Sequence, residues 1–325
     1  MIVPDYWAEA RRQYKTSAKQ VTVRRYGWSM SSQADAQLMA EARADEALQR
    51  IVAGEQLERR ERKVAYNGAA GIPIREEVLA RHGEVVITRN AYGAHCLNSP
   101  SALFADIDFT PERGAKPVLF AFVALSVASV AIGISLRSWG TTFGLLFASL
   151  VAAAPIASLF ARLAVLAGGG SERMARERIA SFISENPAWN LRLYRTSAGY
   201  RVLATHRTFE AKAEEVQRFF TKVSADPVYA RMCANQNCFR ARLTAKPWRI
   251  GISAHMRPRP GVWPVRSESV ALRNQWIAGY EAKAAAFAAC RYIESMGSGV
   301  VHESLKSVVD LHDRESQAHS GAQLA

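Results

Sequence analysis

The residues closest to recognisable chemistry are two carboxylates. Asp106 and Asp108 stand two positions apart in Ala102–Phe109 (ALFADIDF), an apolar run that reads as a strand. Alternate residues of a strand share a face, so both carboxylates project from one side, while Leu103, Ala105, Ile107 and Phe109 take the other. Neighbouring carboxylates of this kind can hold Mg²⁺ or Mn²⁺ in phosphoryl transfer, and these are the only cofactors the pattern suggests. His206 is the one further candidate for a catalytic side chain. Cys233 and Cys238 are separated by four residues, with His206 upstream and His255 downstream. A zinc site needs a second close pair, which the sequence does not supply, so both cysteines read as buried free thiols. No Gly-rich phosphate loop, HExxH helix or GxSxG elbow occurs.

Charge supplies a second set of candidates. The formal charge is +13 over 325 residues, unevenly placed: residues 1–116 hold 17 basic against 15 acidic side chains, and residues 190–266 hold 15 against 4. Such an excess attracts polyanions, either nucleic acid or anionic lipid headgroups. Arg192, Arg201, Arg240, Arg242, Lys246 and Arg249 are the candidate contacts. Two plainer readings stand beside this one. The excess can express the positive-inside bias of a membrane protein. And if Leu191, Leu193, Phe239, Ala241 and Leu243 face a core, then Arg192, Arg240 and Arg242 share the open face with the two aspartates and neutralise them in an ion-pair lattice.

The elements that must position these residues divide at a membrane segment. Pro117–Leu136 is 20 residues without a charge, and Thr141–Ala161 is 21 more. At 1.5 Å per residue each spans about 30 Å, the thickness of a bilayer's hydrocarbon core. The turn between them holds only Arg137, whereas Arg113, Lys116, Arg162, Arg173, Arg176 and Arg178 flank the outer ends. The expected arrangement is a multi-pass inner-membrane hairpin with both termini cytoplasmic. Pro155 is expected to kink the second helix, and Ala148, Ser149, Ala152, Ala153 and Ala154 to permit close helix contact. Met1–Lys19 lacks the apolar core of a signal peptide, and the four cysteines are irregularly spaced, which also favours a cytosolic face for the remainder.

Four regions result: 1–116, the hairpin 117–166, a basic region 167–266, and a C-terminal helical segment 267–325. In the first, a strand at Gln20–Tyr26 precedes a helix from Ser32 to about Val52, whose sparse apolar positions predict an exposed element. A mixed-charge linker follows at 58–63, then a strand at 84–89. Beyond Gly168-Gly-Gly170 come a helix capped by Ser171, strands at 190–196 and 200–206, and a helix at 210–224 ended by Asp226-Pro227. A strand at 239–244, a Pro-rich loop at 246–264, a long helix at 267–296 and a shorter terminal helix complete the chain. Without the hairpin, the order from Ala102 to Thr244 is βαββαβ, so the fold class expected is α+β: a ferredoxin-like cytosolic domain interrupted by a transmembrane hairpin.

The Asp106-x-Asp108 strand, this element order and the basic surface together resemble the archaeo-eukaryotic primase core. That resemblance implies a metal-dependent nucleotidyl-transfer site at Asp106 and Asp108. The sequence departs from it at Ser197-Ala-Gly-Tyr-Arg201, where Arg stands in place of the family's His, and no third carboxylate follows on a strand. The stretches 63–109 (…VAYNGAAGIPIREEVLARHGEVVITRNAYGAHCLN…) and 191–249 (LRLYRTSAGYRVLATH…DPVYARMCANQNCFRARLTAKPWR) resemble a bacterial family of two-pass transmembrane proteins of unknown function. Membership would imply a membrane location and no particular activity. The leading expectation is thus a membrane-anchored cytosolic binding or scaffold protein, and the alternative is a metal-dependent enzyme acting on nucleotides or nucleic acid.

Overall fold

A computed structural model describes residues 3–17, 20–61, 73–109, 115–259 and 263–325. Arg113, residues 62–63 of the linker and part of the Pro-rich loop therefore lie outside the described residues, as do the side chains of Lys116 and Arg162. The chain divides into two compact units: Asp108–Ser181, and the remainder on both sides of it.

The N-terminal residues form a hairpin. Strand β1 (Tyr6–Lys15) was not foreseen, and it pairs antiparallel with β2 (Gln20–Ser29), setting Trp7 opposite Trp28. Helix α1 (Gln33–Val52) follows, its N-cap made by Ser32, whose hydroxyl oxygen accepts the Asp35 N–H at 3.1 Å. Most of the helix is exposed or half-buried, as expected, but one face is covered. Ala36, Ala40, Ala44 and Ala47 make a buried stripe at helical spacing, and the first three pack on Ala8 and Ala10 of β1. Alanine scores weakly in an apolar pattern, but its small size lets helix and strand approach. The approach is so close that a Cβ on Gly27 would lie 2.2 Å from the Ala36 carbonyl oxygen.

The later strands are β3 (Glu77–His82), β4 (Val85–Arg89), β5 (His95–Ser99), β6 (Phe104–Asp108), β7 (Asn190–Arg195), β8 (Gly199–Ala204), β9 (Phe239–Arg242), β10 (Phe287–Ala288), β11 (Arg291–Gly297) and β12 (Gln323–Leu324). The helices are α2 (Ala115–Ser135), α3 (Trp139–Ala167), α4 (Ser171–Glu185), α5 (Glu214–Val223), α6 (Pro227–Gln236), α7 (Ser267–Ala284) and α8 (Glu303–Glu315). The class is mixed α+β. Two four-stranded sheets carry it, ordered β3-β4-β5-β9 and β11-β7-β8-β6.

Without the hairpin, the order from β6 to β9 is βαββααβ, because α6 adds a helix before the last strand, and that last strand is not in the sheet of the other three. β9 pairs with β5, a strand whose sequence (HCLNS) has no β-branched residue and gives little signal. The fourth place beside β7 goes to β11, so the strand pairing is not ferredoxin-like. Residues 291–297, expected at the end of a long helix, form that strand. The helix stops at Ala284, and the open edge of β7 takes the RYIESMG segment, placing Tyr292 opposite Tyr194. Edge pairing here overrides local helix propensity. The terminal region is therefore mixed in structure rather than helical. Asp226-Pro227 does end one helix, yet it also starts α6: the Asp226 carboxylate accepts the Val228 N–H at 2.8 Å, with Pro227 in the first turn.

In the other unit α2 and α3 form an antiparallel hairpin. Their contact is made by small residues: Ser129, Thr142, Ser149, Ala153 and Ala157 are buried, and the Ser129 and Ser149 hydroxyls lie 2.9 Å apart. A Cβ on Gly133 would fall 1.8 Å from Thr142 Oγ1, so glycine is needed for this approach. Helix α3 is 29 residues long, about 43 Å, and runs past the expected end at Ala161. Both helices are long and apolar enough to cross a membrane.

Candidate functional site

Asp106 and Arg201 sit on the adjacent strands β6 and β8. The Arg201 side chain is 2 % exposed and grips Asp106 with both arms of its guanidinium: Nε donates to Oδ1 at 2.8 Å and Nη2 to Oδ2 at 3.3 Å. Nη1 donates to the Arg242 carbonyl at 2.8 Å. Burial works against the charged guanidinium, but the charge and hydrogen bonds of Asp106 outweigh it and raise the Arg201 pKa. Both oxygens of the carboxylate offered above as a metal ligand are thus occupied by a fixed cation. Asp108 ends the same strand and is exposed. Among the described residues, no three His, Cys, Asp or Glu side chains are placed to share a metal ion.

The other candidate arginines are placed separately. Arg240 is buried and pairs with Glu76, whose carboxylate also accepts the Thr88 hydroxyl at 2.6 Å. Burial opposes its charge, but Cys96 and Glu76 more than compensate, and its pKa is raised. Arg242 donates to the carbonyls of Thr244 and Ala325. Arg192 donates to Asp313 at 2.6 Å. The expected lattice on the two aspartates is therefore corrected: among the described contacts, Arg201 holds Asp106, while Arg192 and Arg240 serve other carboxylates. Lys246 and Arg249 are half-buried near the 3₁₀ turn Pro247–Ile250, the lysine 5.5 Å from the Trp248 ring centre and Arg249 donating to the Ser197 hydroxyl.

His206 lies in an aromatic cluster. Its Nδ1 accepts the Asn190 N–H at 3.3 Å, and its ring lies 4.7 Å from that of Trp189 and 5.4 Å from that of Phe209. Burial, then the nearby Arg207 charge, lower its pKa. Cys233 and Cys238 are buried free thiols, and burial pushes Cys238 up to about 11.

A further polar cluster was not anticipated. Cys290 precedes β11, and its Sγ lies 3.9 Å from His312 Nε2 and 3.3 Å from Ser316 Oγ. His312 Nδ1 is 3.0 Å from Asp313, which also receives the Tyr194 hydroxyl at 2.7 Å and the Arg192 guanidinium. Burial raises the thiol's pKa, but His312, Arg201 and Ser316 bring the net shift below its ordinary value; His312 moves up despite its own burial. Thiol, imidazole and carboxylate in this order are the parts of a cysteine nucleophile. Here Cys290 and His312 are each 0 % exposed, and the cluster joins the residue before β11 and strand β7 to α8. Its members come from three distant segments, and nothing in their spacing announces it.

Comparison of the chain with protein-family models, with characterised proteins and with solved structures found no match. What the fold and these clusters define is an α+β protein carrying two helices long and apolar enough to cross a membrane.

Proposed function

We propose that the chain is a membrane-anchored binding or scaffold protein of the bacterial inner membrane, with the 115–167 hairpin in the bilayer and both termini cytoplasmic. The observation that carries this reading is the exposure of the hairpin. Only 11 % of the apolar window of α2 and 17 % of that of α3 is buried, whereas the core helix of a soluble protein is mostly covered. Phe120, Val127, Phe143, Phe147, Leu150 and Phe160 all present large apolar surface outward, which a bilayer would solvate. The charge asymmetry of the flanks, with Arg173, Arg176 and Arg178 beyond α3 and only Arg137 in the turn, supports the orientation. Resemblance to two-pass bacterial proteins agrees with it. The test is a Ser138→Cys variant treated with an impermeant thiol reagent in intact cells; the four native cysteines are buried and need not be removed. Labelling at position 138, and none at a cysteine placed at Ser32 or Ser320, is expected. The reverse pattern would overturn the orientation.

The binding role for the basic region, toward anionic headgroups or nucleic acid, draws on the charge excess of 190–266. Metal-dependent nucleotidyl transfer at Asp106 and Asp108 is the less supported alternative, because Mg²⁺ or Mn²⁺ would have to displace the Arg201 clamp.

A further inference from the structure

Away from the buried clusters, a cavity of about 350 Å³ opens between the 91–94 turn, the 3₁₀ turn and α7. That volume lies at the small end of the roughly 300–1,000 Å³ typical of small-molecule sites. Three aromatic side chains form much of its wall: Tyr92, Trp248 and Trp276. They are held in place. Tyr92 and Trp248 meet edge to face at 5.2 Å, and Trp276 stacks on Tyr280 at 5.3 Å with its indole N–H donated to the Ala254 carbonyl at 2.9 Å. The turn itself is shaped to the indole: Gly93 has φ +101°, and a Cβ there would lie 2.4 Å from the Trp276 ring. Trp248 keeps 55 % of its surface exposed. A large aromatic in that state leaves apolar surface for a ligand to cover.

Charge around the cavity selects the ligand. His255 and Arg259 line it, Lys246 sits over Trp248, and no carboxylate is among the described lining residues. An aromatic cage for an ammonium group relies on the negative ring faces and gains nothing from a basic rim. A neutral apolar ligand would leave that rim unused. The pairing of ring faces with cations suits a planar aromatic body bearing an anion. We propose that this cavity binds a nucleoside phosphate, the base against the Tyr92–Trp248–Trp276 wall and the phosphate at Arg259 and His255. The proposal names a ligand for the binding role proposed above and rests on that reading only in needing an aqueous face; the thiol-labelling experiment and the titration below fail separately.

The full chain in detergent is titrated calorimetrically with AMP, adenosine and inorganic phosphate. AMP is expected to bind more tightly than either part alone. Trp248→Ala is expected to weaken AMP roughly tenfold, the loss of one stacking platform, and Arg259→Gln to bring AMP down to the affinity of adenosine. Both side chains are exposed, so unchanged melting curves are expected for both variants. AMP binding no tighter than adenosine or phosphate, or AMP binding unaffected by Trp248→Ala, would overturn the proposal.

Discussion

At the scale of single residues the Asp106–Arg201 pair decides how the most suggestive motif is used. Removing one partner of a buried ion pair strands the other, at a cost of about 3–5 kcal/mol. Asp106 is 32 % exposed, which places the expected loss near the lower figure. Asp106→Asn should therefore lower the melting temperature sharply, while Asp106→Leu with Arg201→Met should recover part of the loss, and Mg²⁺ should not shift the wild-type melt. A wild-type melt raised by Mg²⁺, with Asp106→Asn neutral, would restore the metal reading. Asp313 gives a pH prediction. Burial raises its pKa, but hydrogen bonds from His312 and Tyr194 and the charges of His312 and Arg192 hold it well below its ordinary 3.8. A carboxyl depressed in the fold contributes its full stability above the unfolded value and loses it as pH falls toward the folded one. His312 has the opposite sign: its pKa is raised, so its contribution is complete below 6.5 and fades as pH rises through the folded value. Melting curves between about pH 4 and pH 2 should fall more steeply for wild type than for Asp313→Asn, and parallel curves would refute the assignment.

At the scale of elements, close approach is the recurring device. α1 lies on its hairpin through alanines, α2 on α3 through serines and a glycine, and the 91–94 turn on Trp276 through Gly93. Each contact tolerates no added Cβ, because the groups it would meet cannot all withdraw. Gly27→Ala is the cleanest probe, since the obstructing atoms are the Ala36 carbonyl and the Ala40 backbone rather than a flexible side chain. Overpacking of this kind costs about 1–3 kcal/mol or more. The variant should melt several degrees below wild type, with α1 losing amide protection before the two larger sheets. A variant as stable as wild type would mean that α1 does not pack on β2 as described.

At the scale of the whole molecule, charge and membrane surface combine. Part of the basic excess of residues 190–266 is already spent: Arg192, Arg201 and Arg240 are committed to carboxylates. Polyanion attraction must therefore draw on cations nearer the surface, Lys246, Arg249 and Arg259 among them. Binding of the detergent-solubilised chain to duplex DNA should weaken with salt at a slope of about 0.9 per phosphate neutralised. Lys246→Gln with Arg249→Gln should reduce that slope, while the buried arginines contribute nothing to it. Absence of binding at low salt both to DNA and to anionic liposomes would leave the excess as positive-inside bias alone.

The two membrane-length helices, the cap at Ser32, the 190–204 hairpin and the Val216/Phe219/Phe220/Val223 face of α5 were legible because each depends on neighbours within a few turns: apolar length, a capping hydroxyl, a tight turn, helical spacing. Strand partners are another matter, because a strand's sequence encodes its two faces and leaves its edges unmarked. Only the tertiary structure moved β9 into the sheet of β5, drew residues 291–297 out of a helix to cover β7, and assigned Arg201, rather than Arg192 or Arg240, to Asp106. The same holds for the Cys290–His312–Asp313 cluster and the aromatic cavity, whose residues meet across long loops. Their chemistry depends on distance and burial, which are set by how the sheets and helices pack, not by spacing along the chain.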